Sequence, residues 1–580
     1  MKNFFNTLKL NKQLLISIFM TIMIYLTLVI QGVVKNYNIL SLCIAIILIL
    51  YINKIDLFDK KNYKITIGLA LFLSILTIIG SICLDLKYSE TRNLWNEVIS
   101  TKGIISLIGT FSYLYIILIS ILPKLDNLKI IKRFHLKPKK RIFYLSFLGI
   151  LVCYLPYFII NYPGFFSSDS ISELEMVASN LSYLSDHHTV IHVLSAYFPY
   201  KLGMLIFDNS MIASSMIILT QMIIMSLIFA TTINFLYKRH VNKYILILVF
   251  AFFAICPIHA FYSITMWKDI IFSGLVLLLT LELIKLLEKK QITIKNSYSF
   301  IIVSILTVFF RNNGIYMYII LSLVTIFIFK KQLKVILMML LIVFSTYYIV
   351  KGPIYNYFNI KTSSTSEYIA IPLQQIARMV YKDVKFTKEE EKLINDLMPI
   401  ETMKKSYNPE ILDPIKFHKD YNKDAFEKNK TKYLKLWTTL CIKHFDISTE
   451  SYFISTLGYW YPDVDYWTVL PQIDKNNLQI ERTKLSKKFN NLTELLITKK
   501  LPIYGFIWSI GLCVWLILIF GIKTLFSKNK KILYVYVPII GVWLTTMIAT
   551  PVYAEFRYVY SLYTTLPILS LAPYLKLKEQ

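Results

Sequence analysis

The sequence predicts an all-α polytopic membrane protein, with about fourteen transmembrane helices and a mostly helical domain on the outer side of the membrane. Three observations carry this. The chain is 56% hydrophobic with a mean hydropathy of +0.55, and its apolar residues fall in blocks. Leu14 to Val34, Ile65 to Leu84, Ile104 to Leu122 and Met211 to Leu236 each reach the roughly 20 residues needed to cross about 30 Å of hydrocarbon. The positive charge is also sorted by side. With a cytoplasmic N-terminus, 31 Lys and Arg fall in inner segments, 8 in short outer loops and 24 between Lys351 and Lys500, which is the positive-inside bias.

The elements follow in order. Residues 1–160 hold the first five spans. The first follows Lys2, Lys9 and Lys12 as a signal peptide would, but no small-residue cleavage site comes after it and further spans do, so it reads as a retained span. The basic stretch Lys124 to Arg141 sets the fifth span, Ile142 to Ile160, running outward. Residues 161–209 are too polar at their start and too broken for a simple crossing, and read as an outer loop with membrane-surface helices. Residues 210–350 return to spans. From 351 to 500 the hydropathy falls, charges of both signs mix, and Pro, Asn and Asp punctuate short helical stretches such as Ser366 to Tyr381 and Lys388 to Leu397, as in a mixed outer domain. Residues 501–580 hold three closing spans, which return the C-terminal Lys576 and Lys578 to the inside. No inverted repeat of the transporter kind is visible.

A net charge of +28 invites a nucleic-acid partner, but the charge lies on inner loops and in the outer domain. The expectation is contact with membrane lipid and no nucleic acid. Five of the six cysteines sit in apolar runs, with only Cys441 in the outer domain, which gives neither a disulfide framework nor a zinc spacing.

Ionisable side chains near a membrane surface are costly and mark functional sites. Four groups fall on the predicted outer side: Asp169 in its loop, Lys268-Asp269, Arg311-Asn312, and Glu555 with Arg557. Pro163-Gly164 ends a span with a turn, and Ser170-x-x-Glu173 has capping-box spacing, so a helix is expected from about Ile171 with Glu173 as its cap. That leaves Asp169 exposed before a helix N-terminus, where a carboxylate can accept a hydroxyl proton. Asp186, His187, His188 and His192 follow, and His188 and His192 share a face at i, i+4 if the stretch is helical, a possible metal spacing. Two histidines alone are a weak metal signal, and hydrogen bonding to a sugar or phosphate, or interfacial packing, accounts for them better. Lys268, Arg311 and Arg557 suit phosphate oxygens, and Asp269 and Glu555 can pair with these cations. The aromatic run Gly458 to Trp467 can stack on sugar rings or anchor the domain at the headgroups.

Taken as an ordered set, Tyr162-Pro-Gly with Asp169-Ser170 and the histidines, Trp267-Lys-Asp269, Arg311-Asn-Asn-Gly314, Pro372 to Arg378, Asp413 to Lys416 and Glu555 to Tyr560 resemble a branch of the bacterial GT-C glycosyltransferase superfamily. The resemblance implies a GT-C-like fold and inverting sugar transfer on the outer face of the plasma membrane. The donor is a polyprenyl-phosphate-linked sugar and the acceptor a cell-envelope glycan, lipid or protein. It implies Asp169 as the essential acid. Glu173, His187, His188, His192, Lys268, Asp269, Arg311, Asn312, Glu555 and Arg557 would bind substrate. A divalent cation, Mg or Mn, is a possible cofactor, although a single Asp169 stands where such loops commonly carry two acids. The rival readings are a transporter or flippase of an anionic lipid-linked saccharide, and a non-catalytic relative acting as receptor or scaffold.

Overall fold

The computed structural model describes every residue except Met1, 35–38, 59–62, 127, 129, 132–140, 363–368, 499–500, 502, 528 and 578–580. Much of the basic stretch Lys124 to Arg141, and the start of the helix expected from Ser366, therefore lie outside the described residues.

The described residues form helices and turns, joined by isolated β-bridges. Among the described residues, nine helices are long and apolar enough to cross a membrane, and the pair Lys243–Ile255 and Pro257–Ser263, bent by 45°, makes a tenth if it is one broken span. Four shorter apolar helices accompany them: Ser41–Lys54, Tyr298–Phe310, Gly314–Ile328 and Ile510–Leu525. Pro257 at the bend cannot donate to the preceding turn, which is why the helix breaks there. Several hydroxyls inside the apolar helices are satisfied locally: Thr21, Ser74, Thr280 and Ser322 each donate to the carbonyl four residues back, as suits an apolar solvent. One difference from the sequence reading concerns residues 161–209. Val190–Phe207 is a continuous 18-residue apolar helix that also meets the length and composition for crossing.

The chain divides into two compact units. The first comprises Met1–Leu128, Tyr368–Val464 and Pro551–Tyr553. Its later helices bury a core of Leu373, Ile376, Met379, Ile394, Leu397, Met403, Phe426, Leu436 and Leu440. The helix Lys388–Leu397 begins with a capping box between Thr387 and Glu390, which satisfies two otherwise orphan N–H groups. Arg378 and Glu450 are both wholly buried and paired at 2.6 Å, and Lys382 reaches the same carboxylate oxygen at 2.6 Å. Arg378 also donates to the carbonyls of Leu86 and Lys87, while Glu450 accepts from the backbone N–H of Leu94. Part of the aromatic run, read as stacking on sugar rings or anchoring the domain at the headgroups, sits in this unit. Tyr459, Trp460 and Tyr461 are buried at 0–7% exposure because they pack as core, whereas Trp467, in the other unit, is exposed.

The second unit comprises Lys129–Glu367, Asp465–Thr550 and Ala554–Gln580, so residues 351–500 are shared between the two. Lys268–Leu287 is its most enclosed candidate span, packed against Ser210–Tyr237, Tyr298–Phe310 and Tyr560–Leu571. The segment after Ile160 docks by backbone pairing: Phe165 N–H donates to Ile264 O, and Met266 N–H to Phe165 O. Gly164 makes this possible with φ +123°; a Cβ there would lie 2.8 Å from the Ile264 carbonyl oxygen. Gln221, buried in Ser210–Tyr237, turns its amide onto the carbonyls of Tyr262, Ser263 and Thr265 at 2.8 to 3.2 Å. The amide thus adds to the backbone N–H groups of Thr265 and Trp267, which reach the Tyr262 and Thr265 carbonyls where the bent helix stops.

Candidate functional site

The second unit brings the four ionisable groups of the sequence together. Asp169 lies in the first turn of the helix Ser168–Ala178, whose N-cap is Ser167. The capping box expected at Ser170 and Glu173 does not form, because both side chains are used elsewhere. Ser170 donates its hydroxyl to the Met266 carbonyl at 2.6 Å, and Glu173 faces two histidines. Its Oε2 meets His192 Nδ1 in a short contact, and its Oε1 lies 4.0 Å from His188 Nδ1.

The histidines do not share one helix. Asp186–His188 is a 3₁₀ turn, Thr189 takes φ +51°, and a new helix starts at Val190. The i, i+4 geometry is therefore lost, and Glu173 joins His188 and His192 instead. Among the described residues, no group of three or more His, Cys, Asp or Glu side chains is placed to hold a metal ion.

Arg557 is the centre of the cluster. Its Nη1 donates to Asp169 Oδ2 at 2.9 Å, its Nε lies 3.5 Å from Glu555 Oε1, and its guanidinium sits 4.9 Å from the Trp267 ring centroid. Trp267 in turn donates its indole N–H to Ser167 at 2.9 Å, tying this ring to the N-cap of the Asp169 helix. Arg311 makes a second layer, 3.2 Å from Asp269 and donating to the Tyr558 carbonyl at 2.7 Å. The Tyr558 ring lies between the two guanidinium groups, 5.3 Å from Arg557 and 5.1 Å from Arg311. Lys268 donates to the His187 carbonyl at 3.0 Å, and Asn312 to the Asp186 carbonyl at 2.9 Å.

Electrostatics separates the acids. Burial pushes the Asp169 carboxyl up, but Arg557 and Lys268 together outweigh it and hold the group below the usual carboxylate value. Asp169 therefore stays ionised at neutral pH, with 39% of its side chain exposed. Glu555 is pushed up to about 7 by burial and by the Asp269 and Asp169 carboxylates, against the pull of Arg557. Burial, aided by Lys268, lowers His188 to about 3, so its imidazole is neutral. Two acids a few ångströms from one guanidinium are thus shifted in opposite directions, a pattern found where proton chemistry is done.

Sequence reasoning singled out Asp186 with the histidines but missed Lys351 and Tyr355 as its partners. Lys351 pairs with Asp186 Oδ2 and Tyr355 donates to Oδ1 at 2.9 Å. The only sequence signal was a Lys at the end of an apolar run.

The fold and the site define a helical membrane protein that gathers an arginine-centred cluster of carboxylates and histidines at the ends of its apolar helices. The chain belongs to DUF6020, a family of unknown function whose model matches residues 175–580; the match starts after Asp169 and Glu173. No curated protein and no solved structure matches the chain.

Proposed function

We propose that this protein is a membrane glycosyltransferase of GT-C type, moving a sugar from a polyprenyl-phosphate donor to a cell-envelope acceptor at the outer face of the plasma membrane. The observation that carries the reading is Asp169: a part-exposed, ionised carboxylate held by Arg557 with Lys268 beside it. In the reaction, the acceptor hydroxyl bonds to the Asp169 carboxylate and attacks the anomeric carbon. The carbon–oxygen bond to phosphate breaks as the new glycosidic bond forms, and the hydroxyl proton passes to Asp169. The leaving group is the polyprenyl phosphate. Lys268, whose ammonium donates to a single carbonyl here, supplies its first counter-charge, and Arg557 the second.

This pairing makes Asp169 a responsive base. Burial is the largest influence on its carboxyl and acts to raise it, with Arg557 opposing. A phosphate that draws the guanidinium away leaves burial less opposed, so Asp169 becomes more basic when donor is bound. Arg311 is already engaged by Asp269 and Tyr558 and serves to hold the site together.

The reading also fixes sidedness within the second unit. Asp169 touches Arg557, Lys268 touches His187, and Lys351 touches Asp186, so the ends of the helices that carry them share one face. That holds only if Val190–Phe207 lies along the membrane surface, because a crossing there would put Asp169 and Lys268 on opposite sides. The broken pair and the four shorter helices then cross, and Tyr560–Leu571 supplies the last passage, which makes fourteen spans.

The test is transfer from radiolabelled polyprenyl-phosphate sugars by purified protein, with envelope extract as acceptor. Transfer by the wild type and none by a folded Asp169→Asn variant is the expected result. Transfer by that variant refutes the assignment of the base. Substrate movement across vesicles without transfer by either protein overturns the reading in favour of a transporter.

A further inference from the structure

The turn that carries His187 and His188 is held from outside the site. Asp186 is 5% exposed and every polar group it has is engaged. Its N–H donates to Lys361 O at 2.8 Å and its carbonyl accepts from Asn312 at 2.9 Å. Its carboxylate takes Tyr355 O–H and Lys351 Nζ. Lys351 also donates to Asn312 Oδ1 at 3.0 Å, closing a ring of three residues, Asp186, Lys351 and Asn312, to which Tyr355 is attached through Asp186. It stands in a π-helical turn, Val350–Ile354, that interrupts the end of a long apolar helix, a local widening found where function requires a side chain to be re-aimed.

The other side of the turn is strained. Thr189 adopts φ +51° and ψ 112°, a region a β-branched residue enters only when its surroundings impose it. Its hydroxyl reaches the Phe310 carbonyl at 3.3 Å, and it is fully buried. Between Asp186 and Thr189 lie the two histidines, with His188 8% exposed and its Nδ1 toward Glu173, while His187 is exposed.

We infer that Asp186 and Lys351, completed by Tyr355 and Asn312, are positioning residues that clamp a strained turn so that His188 is presented beside Asp169 and Glu173. A network whose only purpose was stability would not need to hold a β-branched residue at positive φ next to two histidines. The inference rests on the proposed function only in taking this cluster as the site.

Its test reads the histidines themselves. The full-length protein in detergent micelles is treated with diethyl pyrocarbonate at neutral pH, and labelling of His187, His188 and His192 is followed by peptide mass spectrometry. In the wild type, exposed His187 labels and His188 is protected. Lys351→Met and Asp186→Asn raise His188 labelling by about tenfold or more as the turn opens locally, and Lys351→Arg restores protection. Tyr355→Phe, which removes one hydrogen bond and keeps the ion pair, gives a smaller rise and serves if the charge variants do not fold. Glu288→Gln breaks a comparable buried pair with Arg239 in the same unit and leaves His188 protected. His188 remaining protected in Lys351→Met and Asp186→Asn, or equal labelling in Glu288→Gln, overturns the inference. Because labelling needs no substrate, a failed transferase assay and a failed clamp are separate results.

Discussion

Glu555 offers a direct measure of the electrostatics around Arg557. Its carboxyl sits at about 7 in the folded protein against an ordinary 4.5, so between those values the folded state holds a proton that the unfolded chain has released. Stability therefore falls as pH rises through this window and is level above it. At about 1.4 kcal/mol per pH unit, the interval corresponds to about 3 kcal/mol. Glu555→Gln resembles the protonated form, keeps the side-chain volume and leaves the Arg557–Asp169 pair in place. The variant should match the wild type near pH 4.5 and unfold several degrees higher at pH 8, at roughly 2–4 °C per kcal/mol for a domain-sized unit. Asp169 acts with the opposite sign. Its lowered carboxyl contributes stability that is lost as pH falls below the ordinary 3.8, so the two windows do not overlap. The assay is the thermal midpoint of both proteins in detergent from pH 4.5 to 8.5. A variant less stable than the wild type by a constant amount at every pH would show that Glu555 is ionised throughout, with Arg557 fully compensating its burial, and would refute the argument.

Three further outcomes can be measured alongside. Removing the acid of the wholly buried Arg378–Glu450 pair, as in Glu450→Met, should cost about 3–5 kcal/mol because it strands both Arg378 and Lys382; Arg378→Met, which leaves Lys382 on the carboxylate, should lower the thermal midpoint by less. Gly164→Ala meets the Ile264 carbonyl oxygen and Ile218 at 2.8 Å and demands φ +123°, so it should lower stability by about 1–3 kcal/mol. Gln221→Leu leaves the carbonyls of Tyr262, Ser263 and Thr265 short of donors and should cost about 1–3 kcal/mol, with faster hydrogen exchange at the neighbouring Met266 amide.

Most of the helices were legible because the bilayer sets their length independently of packing. An apolar run such as Met211 to Leu236 states its own requirement. The division into two units was not legible, since it depends on contacts between segments far apart in the chain. Arg378 reaches the Leu86 and Lys87 carbonyls across nearly three hundred residues, and no local pattern announces that. Val190–Phe207 shows a further limit: hydropathy gives length and polarity, and a surface helix and a short span can share both.

The membership of the site was legible for an energetic reason, while its pairing was not. A charge at the end of an apolar run is expensive wherever it points, so Asp169, Lys268, Arg311 and Arg557 stood out one by one. Which acid answers which cation depends on three-dimensional proximity alone. Glu173 shows how a local rule can mislead: Ser170-x-x-Glu173 has the right spacing for a cap, but the helix starts two residues before Ser170, with Ser167 as its N-cap. That register frees Glu173 to turn inward to His192. The same register puts Asp169 within the first turn rather than ahead of it, where Arg557 can reach it. One displaced cap thus determines both the histidine contact and the arginine contact, and a sequence rule that stops at i, i+3 sees neither.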